Sequence, residues 1–247
     1  MRRIREAVRI RLHSGGGVMG SRCFSTWMAA FLLGPAIASA QFTGDLVLLP
    51  KGCEAVGQCI LKDALRFTDA SGTVWEAKAM LKTDGASIPG IFQPFVGAPF
   101  DEKFIKAAIV HDHYCDRHVR SWRKTHRVFY DALLDQGVSA AKAKTMYLAV
   151  LVGGPKWIKL IPGQPCGLKC INAMTSATGV AGFQSRAADY SLPALVPAMQ
   201  EVHAQLEADP DALTLEQIEA RARQLRPDDF YFANGDSIVV KRLYATE

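Results

Sequence analysis

The chain has 247 residues, with 29 Lys and Arg against 24 Asp and Glu and a formal charge of +5. Six of the arginines and one glutamate fall within residues 1–40, so the remainder carries 23 basic and 23 acidic side chains and is formally neutral. Nucleic-acid and anionic-membrane partners both need clustered positive charge, and beyond residue 40 the composition offers none.

Met19 to Ala40, MGSRCFSTWMAAFLLGPAIASA, has the layout of a secretory signal: Arg22, an apolar run from Trp27 to Ile37, and Ala38-Ser39-Ala40 as an A-x-A cleavage site. The run is broken by Gly34-Pro35 and is too short to span a bilayer. The expectation is cleavage before Gln41, a periplasmic or secreted product and no stable transmembrane segment thereafter. Met1 and Met19 both remain open as starts. An oxidising compartment favours disulfides. Cys53 and Cys59 bracket CEAVGQC, and Cys166 and Cys170 bracket CGLKC, so two local bridges are the simplest pairing and Cys115 is left over. Other connectivities stay open, because spacing does not decide them.

From Gln41 to Leu81 the pattern is strand-like, and two runs around Asp69 to Gly72 predict a β-hairpin. KTDGASIPGIFQPFVGAPF, rich in Gly and Pro, predicts an ordered loop. Three helices follow. The first spans about Asp101 to Arg117; the second starts at the N-cap Ser121 and ends at Gly137; the third starts near Ser139 and ends at Gly153-Gly154-Pro155. Asn172 to Arg186 has the composition of a linker. Leu192 to Leu206 and Thr214 to Leu225 are helical, the second with a Thr214–Gln217 capping box, and Asn234-Gly235-Asp236 between apolar runs signals a closing hairpin. The fold class is α+β: a small N-terminal antiparallel β element packed on a mainly helical core, with a helical C-terminal extension. Residues 1–40 are the leader, 41–170 the core domain, and 171–247 the linker and extension.

The chemistry concentrates in AAIVHDHYCDRHVRSWRKTHRVF, which holds four of the six histidines. On the first helix Phe104, Ala108, His111, Cys115 and His118 fall on one stripe, with Ile105, Ile109 and Asp112 beside it. On the second, Trp122, His126, Phe129 and Leu133 form a matching stripe. Short-linked helices are antiparallel neighbours, so the two faces meet. Neighbouring helical positions point about 100° apart, which predicts that His111 and Asp112 do not bond each other but converge on one ion or substrate. Asp84, on the loop at TDGASIP, is the further candidate. Asp84, His111, Asp112 and His126 suit zinc or another divalent transition metal. The bland alternative stands beside each residue. His113 lies off the stripe and is expected at the surface, His118 ends its helix, His126 is a satisfied core histidine, and Asp84 caps a turn.

TDGASIP, GAPFDEKFIKAAIVHDHYCD and HRVFYDALLDQGVSAAKAKTMYLAV, in that order, resemble the bacterial and phage family of unknown function DUF1353 over about Leu65 to Trp157. Many members read H-D-Y-L-Y and carry an aspartate near the start of the next helix. This chain instead has His111-Asp112-His113-Tyr114-Cys115 and His126. The resemblance implies no particular activity. Two functions remain. One is a metal-dependent hydrolase with His111 and Asp112 catalytic, acting on a small molecule or cell-envelope material. The other is a non-catalytic structural or binding module in which the same groups form a buried hydrogen-bond network.

Overall fold

The computed structural model describes residues 40–86, 100–163 and 182–241. The leader, the Cys166–Cys170 pairing and most of the Gly/Pro-rich loop lie outside the described residues.

Two three-stranded antiparallel sheets open the chain. The first has the order β1 (Gln41–Thr43), β4 (Leu65–Thr68), β5 (Val74–Ala77); the second has the order β2 (Leu48–Leu49), β3 (Cys59–Leu61), β6 (Lys82–Thr83). In β4 and β5 the two-residue alternation buries Leu65, Phe67, Trp75 and Ala77 on one face. Their hairpin is tied by Asp69, whose carboxylate accepts from the Ser71 and Thr73 amides and from the Trp75 indole at 2.8 to 3.0 Å. Gly72 supplies the positive φ of 80° that the turn requires. A disulfide joins Cys53 to Cys59 across a short 3₁₀ turn, with Cα atoms 5.2 Å apart.

Helices α1 (Ile105–Arg117), α2 (Trp122–Asp135) and α3 (Ala140–Gly153) follow as consecutive antiparallel neighbours. α1 starts four residues later than expected, because Asp101 caps the preceding turn through the Lys103 amide. It ends at His118, which adopts a left-handed φ of 54° and stacks on Trp157 at 4.6 Å. Gly137, at φ 77°, closes α2, with the amides of Gly137 and Val138 returning to Leu134 and Leu133. α3 is buried on nearly its whole circumference, with Leu148 and Leu151 at 0% and 2% exposure. Each leucine withdrawn from water at this level stabilises by roughly 1.5–3 kcal/mol. The helix needs that all-round cover because α2 packs on one side and α4 (Leu195–Ala208) and α5 (Leu215–Leu225) pack on the other. α5 carries the expected capping box from Thr214 to Gln217. No helix among the described residues is long and apolar enough to cross a membrane.

The C-terminal end departs from the local pattern. Asn234-Gly235-Asp236 does not turn a hairpin: a four-residue helix, α6 (Phe230–Ala233), precedes it, with Asp229 accepting the Tyr231 amide at 2.8 Å. β9 (Ser237–Lys241) then pairs in parallel with the distant β7 (Lys156–Gly163). The other edge of β7 takes β8 (Phe183–Arg186), so the end of the expected linker is a strand. Lys156, fully buried, holds this corner through Asp229 at 2.7 Å, and Arg186 joins the same carboxylate at 3.0 Å. The fold is α+β, with one hydrophobic core shared by the N-terminal sheets and all the long helices.

Candidate metal centre

α1 and α2 meet along the faces their periodicity marks. His111 and Cys115 are one helical turn apart on α1, and His126 comes from the first half of α2. His111 Nε2 lies 2.9 Å from His126 Nδ1, and the Cys115 sulfur lies 3.5 Å from His111 Nε2 and 3.8 Å from its Nδ1. One ligand atom from each of the three residues falls within 4.8 Å of the other two. All three are buried: His111 is 6% exposed, Cys115 7% and His126 0%. His111 also contacts Asp112 through Nδ1 to Oδ1 at 3.1 Å, so adjacent residues on this helix do bond. The 100° between their Cβ directions is bridged because the imidazole and the carboxylate bend toward each other beyond Cβ.

Burial sets the electrostatics. It pushes the His126 imidazole well below its usual range, reinforced by the charges of His111 and Lys156 and opposed by the Pro155 carbonyl. Nε2 of His126 is buried and faces the backbone at Gly154. Burial likewise pushes the Cys115 thiol up, with Asp112 and Asp116 adding to the effect. The Tyr190 phenol rises through burial and then through the charges of Asp112 and Cys115. Its ring fills the space over Gly153, where a β-carbon would meet it at 2.2 Å. Toward solvent, Asp112 is about a third exposed at 31%. Asp116 is exposed, and its carboxyl is raised by partial burial and by the neighbouring charges of Asp112 and Asp84.

Of the residues expected at a site, the structure brings His111, Asp112 and His126 together. Asp84 stands exposed after β6, outside both three-residue groupings of potential metal ligands among the described residues, and acts at longer range on Asp116. Cys115, left over when the other cysteines are paired by spacing, belongs to the cluster; its place four residues after His111 is the signal. Tyr190 has no motif to announce it. His113 is buried rather than exposed, because the β4–β5 sheet covers the second face of α1. His118 is a helix terminus and lines, with Trp157, Arg123, Lys124 and Lys159, a separate open cavity of about 1020 Å³ that none of the three cluster residues enters.

An α+β scaffold thus presents a buried His–Cys–His cluster with a carboxylate behind one imidazole. The chain belongs to the family described as Protein of unknown function (DUF1353), whose model matches residues 59–150. It is similar to the Uncharacterized protein y4iH of Sinorhizobium fredii, at 39% identity over 203 residues that cover 80% of this chain and 84% of the relative. It is also 33% identical over 210 residues to the Uncharacterized protein y4jT of the same organism, covering 81% of this chain and 60% of that one. No solved structure matches.

Proposed function

We propose that this protein is a metal-dependent hydrolase, exported and acting on cell-envelope material. The carrying observation is the pair His111 Nε2 and His126 Nδ1, 2.9 Å apart and buried, with the Asp112 carboxylate on the other nitrogen of His111. A carboxylate that holds the far nitrogen of an imidazole fixes its tautomer and raises its basicity as a metal ligand. A divalent ion here would polarise a carbonyl or phosphoryl oxygen and acidify a bound water. Asp116 at the solvent edge supplies a carboxylate for proton transfer, raised by partial burial and then by the charges of Asp112 and Asp84. The Cys53–Cys59 bridge fits an oxidising compartment, as does the signal-like composition of Met19 to Ala40.

The test is turnover of ester, amide and phosphodiester substrates and of envelope preparations by the zinc-loaded full chain. Hydrolysis abolished by a chelator and by His126→Ala is the expected result. A zinc-loaded protein inert toward every class would refute the hydrolase reading, and a protein that takes up no ion would return the cluster to a buried hydrogen-bond network.

A further inference from the structure

We propose that Cys115 is the third protein ligand of this centre. The site is then a two-histidine, one-thiolate site for zinc with one open position, and Asp112 orients His111 instead of touching the ion. This rests on the metal reading above and sharpens it by fixing the donor set and the class of ion.

The distances carry the argument. An ion about 2.05 Å from each nitrogen and about 2.3 Å from sulfur at tetrahedral angles requires edges of roughly 3.3 Å between nitrogens and about 3.5 Å from nitrogen to sulfur. The cluster shows 2.9 Å between His111 Nε2 and His126 Nδ1 and 3.5 Å from His111 Nε2 to sulfur, with a ligand atom of each residue within 4.8 Å of the other two. The imidazoles need to part by only a few tenths of an ångström, and the sulfur, now almost equidistant from both nitrogens of His111, swings toward the ion.

The surroundings already hold the donors in place. His111 and Cys115 share a helical face, one turn apart, and Phe129 packs on the His111 ring at 4.8 Å. His126 is held against Trp122 at 5.6 Å, and its Nε2 edge faces the backbone at Gly154. Cys115 is a free, buried thiol, whereas Cys53 and Cys59 are consumed by their own bridge.

Donor chemistry then selects the ion. Two imidazoles and a thiolate are soft to intermediate and favour zinc or cobalt over calcium, magnesium or manganese, which prefer carboxylate oxygens. A donor set built on Asp84 and Asp112 would draw the harder ions. Asp112, bonded to His111 Nδ1 at 3.1 Å, stands where an orienting carboxylate stands in such centres. Three protein ligands leave the fourth tetrahedral position for water or substrate, the arrangement of catalytic and not of closed structural sites.

Cobalt(II) provides the test. The full chain, freed of metal and given one equivalent of Co²⁺, is expected to show an intense near-ultraviolet thiolate-to-cobalt charge-transfer band together with visible bands of tetrahedral intensity. Cys115→Ser should keep the visible bands and lose the charge-transfer band. Asp112→Asn should keep both and weaken affinity by about 10- to 100-fold. Visible bands without charge transfer in the wild type would overturn the thiolate ligand while leaving a metal centre intact. So would a charge-transfer band that disappears in the double variant C166S/C170S but survives in Cys115→Ser. Failure to bind cobalt at all would overturn this inference and the metal reading with it.

Discussion

Gly154→Ala isolates the packing behind His126. Gly154 caps α3 at φ −67° and ψ 165°, a conformation alanine adopts freely, so backbone strain contributes nothing. The added β-carbon would instead lie 2.4 Å from the Val150 carbonyl oxygen and 3.1 Å from both Cε1 and Nε2 of His126. The carbonyl cannot yield, since it already accepts the Gly154 amide at 2.9 Å within the last turn of the helix. The helix end and the imidazole must shift together. Overpacking of this kind costs about 1–3 kcal/mol, and reduced freedom of the unfolded chain returns roughly 0.4–1 kcal/mol. The middle of these ranges leaves a net loss of about 1–2 kcal/mol, which lowers the melting temperature of a chain of this size by about 2–8 °C. Thermal denaturation followed by circular dichroism measures the loss, and zinc titration of the same variant should show weaker binding. Gly235→Ala is the matched control, because a β-carbon there would meet nothing within 4 Å, and it should shift stability by less than about 0.5 kcal/mol. A Gly154→Ala protein that melts with the wild type and binds zinc equally would refute the packing argument.

Asp229→Ala should be among the costliest single changes, by about 3–5 kcal/mol in denaturant unfolding, because it strands the fully buried Lys156; a loss below about 1 kcal/mol would show that the ammonium finds another partner. Asp189 is held at about 2, first by the Ser191 hydroxyl and amide and then by Arg226. Its folded value lies below its unfolded value of about 3.9, so its stabilisation is present above that value and is lost as pH falls toward 2. Asp189→Asn should therefore flatten the acid limb of a stability–pH curve, and an unchanged limb would exclude the contribution. Replacing Cys53 and Cys59 together by serine should cost about 2 kcal/mol for so short a loop, read as a lower denaturation midpoint, whereas an unchanged midpoint would mean the bridge adds nothing to folding.

Much of the fold follows from local pattern, and the failures share a cause. The β4–β5 hairpin is legible because Asp69 and Gly72 satisfy their own turn, and the α5 start because Thr214 and Gln217 cap each other. β9 is not, since its partner is β7, some eighty positions earlier, and nothing near Asn234 encodes a long-range parallel pairing. His113 escapes for a similar reason: a helical wheel marks one apolar face, and α1 is covered on two, by α2 and by the sheet whose Glu76 amide donates to Tyr114 at 3.1 Å. At the cluster, period and spacing are enough to bring His111 and His126 to facing stripes. They do not reveal that side chains one residue apart can close a hydrogen bond, nor that the Tyr190 ring returns over Gly153 at the end of α3.

Zinc stoichiometry tests the account most directly. Untagged full-length protein, dialysed against metal-free buffer after brief zinc exposure, would be measured by inductively coupled plasma mass spectrometry beside His111→Ala and His126→Ala. One zinc per wild-type chain, reduced to a small fraction in both folded variants, is the predicted result. A wild-type chain that retains none, or variants that retain as much as the wild type, would contradict it.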